Sequence, residues 1–147
     1  MKWLLVLVFS SFLNSVYCQE WNTNLENAES KAKSEHKNIL LVFSGSDWCA
    51  PCIKLDKNIW QTDIFKQTAI ENWILVKADF PKSRKNALPK EIEQQNAILA
   101  EKYNPEGFFP LVVILDADGK VLGKTGFENI SAEAYTSKLK SLTKSGI

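Results

Sequence analysis

The chain has 147 residues, 45% of them hydrophobic and 24% charged, which suits one globular domain with a single core and excludes a disordered chain. Its formal net charge of +1 gives no support to binding nucleic acid or an anionic membrane. Three cysteines are too few for a scaffold stapled by several disulfides.

Lys2 supplies a positive start, Trp3 to Leu13 an apolar stretch, and Val16-Tyr17-Cys18 a cleavage end. The apolar stretch is well short of the roughly 20 residues that span a membrane. Residues 1–18 therefore read as a secretory signal peptide and residues 19–147 as the domain it exports. A lipoprotein with acylated Cys18 is the competing reading, and bulky Tyr17 before that cysteine argues against it. Removing the signal takes away Lys2 and Cys18, leaving basic and acidic side chains in balance and one cysteine pair, Cys49 and Cys52.

Glu20 to Lys37 is polar, with Trp21, Leu25, Ala28 and Ala32 on one stripe, which predicts an amphipathic helix. His36, the only histidine, reads as a solvated residue near its end. Ile39 to Phe43 is a short, unbroken apolar run closed by small residues, a buried strand. Ser44-Gly45-Ser46-Asp47-Trp48 then leads into Cys49-Ala50-Pro51-Cys52, after which apolar residues fall at helical spacing as far as Trp60. The cysteine pair thus sits where a strand becomes a helix, with Cys49 at or near the N-cap. Free backbone N–H groups and the positive end of the helix dipole favour its thiolate, the form that attacks disulfides. Pro51 suits the first helical turn, where a missing N–H costs nothing. Cys52, one turn on, is placed to close a ring with Cys49.

Gln61-Thr62-Asp63 reads as a break with a fresh cap, and Ile64, Phe65, Ala69 and Ile70 continue helically. Trp73 to Asp79 is a second strand, apolar enough for a central place covered on both faces, and parallel to the first through a right-handed crossover. Phe80 to Lys90 is a loop with Lys82, Arg84, Lys85 and Lys90, a solvated segment rather than a docking surface for an acidic partner. Leu88, Ile92, Leu99 and Tyr103 line a helix that stops before Asn104-Pro105-Glu106-Gly107. Leu111 to Leu115 is a third strand, Asp116 to Gly119 a turn, and Lys120 to Thr125 an antiparallel return. Ser131 caps a last helix with Tyr135, Leu139 and Leu142 on its core stripe.

A disulfide across two residues removes little chain entropy, so a purely structural bridge explains the pair poorly. A zinc site would need about four ligands, and His36 and distant carboxylates complete one badly. Redox chemistry is the remaining use.

The order helix, strand, helix, strand, helix, strand, strand, helix, with Trp48-Cys49-x-x-Cys52 after the first strand, resembles thioredoxin over residues 22–144. Asp79 closing the second strand, Phe109-Pro110 before the third, and the Asp118-Gly119-Lys120 turn strengthen the likeness, which is nearest to exported bacterial thioredoxin-like proteins. The resemblance implies an α/β thioredoxin fold, a central mixed sheet flanked by helices. It implies a thiol:disulfide oxidoreductase with Cys49 and Cys52 catalytic and with no cofactor beyond that pair. A cis peptide bond before Pro110 belongs to the same expectation, since most X–Pro bonds are trans. Trp48, Phe109 and Pro110 would bind an extended substrate, with Phe108 equally a groove residue or a core residue. Ala50-Pro51 lacks the histidine of strongly oxidising relatives, which favours a reductase or isomerase. The partners implied are protein thiols and disulfides and a membrane thiol shuttle as electron donor, for a monomer in the periplasm. A peptide-binding or chaperone module of the same shape is the alternative. One departure stands out: the buried acid usual six residues before the first cysteine is Phe43 here, and its lysine partner is missing at Leu75. Either water, Asp47 or another nearby group then takes the resolving proton, or resolution is slower here.

Overall fold

The computed structural model describes residues 19–144, and the signal-peptide reading of 1–18 lies outside the described residues. Five strands, β1 (Trp21–Asn22), β2 (Asn38–Ser44), β3 (Trp73–Asp79), β4 (Leu111–Leu115) and β5 (Val121–Thr125), form one sheet in the order β1-β3-β2-β4-β5. β2 lies parallel to β3 and antiparallel to β4, and β4 and β5 form a hairpin. β2 is the middle strand, and Trp73–Asp79 has the interior place expected of it. β3 lies between β2 and the two-residue β1, and helices cover both its faces, which explains its apolar run.

Side-chain alternation sorts the sheet into two cores. Ile39, Leu41 and Phe43 face one way, with Val76 and Ala78, against α1 (Leu25–Glu35) and α4 (Lys90–Tyr103). Leu40, Val42 and Leu75 face the other way, against α2 (Ala50–Leu55), α3 (Asp63–Asn72) and α5 (Ala132–Lys144). Lys77 shares the parity of Trp73 and Leu75, so it rises on the α2 side.

Three local expectations are corrected. Trp21 is on a strand paired with Leu75, not on the first helix. Asn24 caps that helix by accepting the Asn27 N–H at 2.8 Å, so helical geometry starts only at Leu25. Leu88 lies ahead of α4 because Pro89 follows it, and a residue before proline is pushed out of helical geometry. Buried Asn96 takes a place on that stripe instead, and its Nδ2–H donates to Asp79 O at 2.9 Å. Finally, the helix after the cysteines is α-helical only to Leu55. Asp56–Trp60 is a π-helical turn before Thr62 caps α3.

The β4–β5 turn closes at Gly119, whose φ is +79°. That conformation calls for glycine; the nearest atom to a Cβ there, Glu29 Oε1 at 2.8 Å, ends a flexible side chain that can move aside.

Candidate active site

β2 delivers the chain to Gly45, which turns it toward α2. The Cys49 N–H donates to Gly45 O at 2.9 Å, and Cys49 is the N-cap, extended at φ −92° and ψ 99°. Its Sγ accepts the Cys52 N–H at 3.3 Å. A negative sulfur is the better acceptor for that bond and lies at the positive end of the helix, so the position favours the Cys49 thiolate once the pair is reduced. Cys49 and Cys52 are joined as a disulfide with Cα atoms 5.2 Å apart, and both are buried. Pro51 falls in the first turn as expected.

Trp48 is pinned over this turn. Its indole N–H donates to Phe80 O at 2.7 Å, and its ring lies so close to Gly45 that a Cβ there would come within 2.3 Å. The Lys82 ammonium sits 4.0 Å from the Trp48 ring centroid. Phe109 meets Trp48 edge-on at 5.5 Å and Phe80 at 5.4 Å. The Phe109–Pro110 peptide is cis. Trp48, Cys49, Cys52, Phe109 and Pro110 are thus brought to one end of the sheet, at the C-terminal end of β2 and the start of β4.

An open groove of about 710 Å³ runs beside the cysteine turn, bounded by Pro51, Phe108, Phe109, Pro110 and Phe127. Phe108 is 61% exposed, so its place is the groove and not the core. Phe127 and Gly126, which the sequence did not single out, form the far wall. Tyr135 from α5 supports that wall by donating its hydroxyl to Gly126 O at 2.7 Å. Burial raises the Tyr135 pKa, so this donor keeps its proton at any working pH.

Phe43 is fully buried on the opposite core and stacks on Phe80 at 6.4 Å, so no carboxylate lies at that position. Asp47 organises the following loop. It accepts the N–H groups of Lys82 and Ser83, each at 2.9 Å, and Asn86 Nδ2–H at 3.0 Å. The Lys82 amide first, then Asn86 and Ser83, hold its pKa below the ordinary 3.8. Because the folded pKa is depressed, the stabilisation is complete above the ordinary value and disappears as pH falls through the lower folded one. We expect amide-exchange protection of Lys82 and Ser83 to follow that course and to be absent in Asp47→Ala at every pH. Unchanged protection in that variant would remove Asp47 from this role.

Among the described residues, no group of three or more His, Cys, Asp or Glu side chains is placed to hold a metal ion. Comparison with known proteins gives a consistent picture. A family model described as thioredoxin-like matches residues 20–117. The chain is 42% identical over 125 residues to the disulfide bond reductase DsbH of Chlamydia pneumoniae, covering 85% of this chain and 73% of the relative. A solved structure described as DsbH oxidoreductase superposes with a TM-score of 0.78 at 41% identity, over 85% of this chain and 84% of that one. A disulphide isomerase from Xylella fastidiosa Temecula1, at 23% identity and a TM-score of 0.62 over 89% of this chain and 98% of that one, shares the fold. With its mixed five-stranded sheet, its Cys-x-x-Cys turn and these matches, the chain belongs to the thioredoxin-like family.

Proposed function

We propose that this protein is an exported thiol:disulfide reductase that acts on protein disulfides in the periplasm. The observation that carries the reading is Cys49 as an N-cap whose sulfur accepts the Cys52 N–H. The resemblance to a disulfide bond reductase at 42% identity supports the same direction of electron flow.

In the reduced protein the Cys49 thiolate attacks a substrate disulfide and displaces one substrate sulfur, forming a mixed disulfide. Cys52 then attacks Cys49 Sγ, releases the second substrate sulfur and regenerates the Cys49–Cys52 bond. Two electrons pass to the substrate in each cycle and are carried by the pair alone, so the reaction needs no cofactor. The groove beside Pro110 accepts an extended segment, whose backbone pairs with Phe109 as an added strand while Trp48 and Phe108 cover its apolar side chains. The oxidised pair must be reduced again outside the cytoplasm, which calls for a membrane thiol shuttle as partner. We take the protein as a monomer, each chain holding a complete groove and cysteine pair.

The test compares the wild-type chain with a Cys49→Ser/Cys52→Ser double variant in dithiothreitol-driven reduction of insulin. Acceleration by the wild type and none by the variant is the expected result. Equal acceleration by both would favour a binding module that exposes insulin's disulfides, and peptide affinity of the double variant then measures that activity directly.

A further inference from the structure

Release of the reduced substrate requires a Cys52 thiolate. Cys52 is only 3% exposed, and burial disfavours the anion, so its proton needs a defined acceptor. The position expected to supply one holds Phe43, which packs into the other core. Asp47 is committed to the 82–86 loop.

Cys52 also lines a second cavity, of about 250 Å³, together with Ser44, Ser46, Asp56 and Lys77. That space has room for several water molecules, at roughly 30 Å³ each. Asp56 is four residues beyond Cys52 and so lies above it on one helical face. Its backbone N–H bonds the carbonyls of both Cys52 and Ile53 where the helix widens into the π turn. Such turns are frequent at functional sites because the extra residue re-aims a side chain. The Asp56 carboxylate is held from two sides, by Lys77 Nζ at 3.3 Å and Gln61 Nε2 at 3.3 Å. Lys77 is itself steadied by the Trp21 ring, 5.0 Å from its ammonium. The charged groups around the cavity are Asp56 and Lys57 from the π turn and Lys77 from β3. Asp79, at the end of β3, is engaged by Ser46, whose N–H and Oγ–H donate to it at 2.9 and 2.6 Å.

We propose that Asp56, positioned by Lys77, accepts the Cys52 proton across this cavity during resolution of the mixed disulfide. The proposal rests on the reductase reading above. The Cys52 S–H bond breaks and its proton passes through cavity water to the Asp56 carboxylate. The Cys52 sulfur pair forms the bond to Cys49 Sγ, the Cys49–substrate S–S bond breaks, and the substrate sulfur leaves with that bond's electron pair. Asp56 then returns its proton to solvent or to the departing thiolate. An acid–lysine pair thus serves the resolving thiol from the helix and β3, although neither Phe43 nor Leu75 can supply it. As a half-exposed ion pair, Asp56–Lys77 contributes little to stability, which leaves a proton-handling role open to measurement.

The experiment mixes reduced protein with a peptide disulfide, quenches with acid and follows the mixed disulfide by mass spectrometry from pH 6 to 10. In Asp56→Asn the intermediate should persist about tenfold longer or more near pH 7, a general-base effect. The difference should narrow toward the alkaline end of that range, where hydroxide removes the thiol proton without help from a carboxylate. Capture by Cys49 should be unchanged, and Asp56→Glu should restore most of the wild-type rate. Decay of the Asp56→Asn intermediate at the wild-type rate, or slowing by one factor at every pH, would overturn the proposal. If the wild type forms no mixed disulfide and releases no peptide thiol, the reductase reading itself fails, a result distinct from an active wild type matched by Asp56→Asn.

Discussion

Cys52→Ser is expected to stop turnover and to leave the protein covalently bound to its substrate through Cys49. Cys49 is the N-cap and has the Cys52 N–H on its sulfur, so it keeps its nucleophilic form when its partner is removed. The first half of the exchange therefore proceeds, and the second half has no sulfur to complete it. Cys49→Ser should lose both halves, because a serine hydroxyl at the same N-cap is not ionised near neutral pH and Cys52, inside α2, lacks the N-cap position that favours a thiolate. Both variants should fall to the uncatalysed rate in disulfide reduction, but only Cys52→Ser should gain the mass of a disulfide-linked peptide. Equal trapping by Cys49→Ser would reverse the two roles. Applied to a periplasmic extract, the trapped adducts would also identify the natural substrates and the electron donor.

The largest stability effect is expected at Trp60. It is 1% exposed, and its ring packs against Phe65 at 4.4 Å, Trp21 at 5.8 Å and Tyr135 at 5.9 Å. It therefore joins the π turn to α3, β1 and α5 at once. Truncation to alanine removes a large buried ring that its rigid neighbours cannot replace, at a cost of about 3–5 kcal/mol. Set against the roughly 5–15 kcal/mol by which domains are usually stable, that is a large fraction. Urea denaturation of Trp60→Ala should show a lower midpoint with little change in slope. A loss below about 1 kcal/mol would mean that the surrounding aromatics collapse into the space, contrary to the packing described. The same substitution should loosen the turn that carries Asp56, linking this core to the chemistry at Cys52.

Much of this arrangement was legible in the residues because the signals were redundant. Ile39–Phe43 and Leu111–Leu115 are too short and too uniformly apolar for anything but buried strands, and glycine, serine or aspartate closes each. The cysteine turn was placed by the residues on both sides of it, an apolar strand before and helical spacing after. What stayed hidden depends on chain pairing or on geometry without periodicity. Two residues of β1 are too few to show an alternation, so Trp21 joined the helical stripe that Leu25 begins. A single extra residue per turn over Asp56–Trp60 leaves the apolar spacing almost unchanged, so the π geometry had no trace. Lys77 could be put on the face of Leu75 by parity, but only the packed fold shows that α2 covers that face. Asp56 and Lys77 are 21 residues apart and meet through the β2–β3 pairing, which no local pattern encodes.

The most direct test is titration of the two thiols in the reduced wild-type protein, by alkylation rate against pH with each site assigned by mass. A capped Cys49 sulfur should ionise below the ordinary cysteine value of about 8.5, and buried Cys52 above it. Two thiols that ionise together at or above that ordinary value would contradict the thiolate at Cys49, and with it the exchange chemistry assigned to this fold.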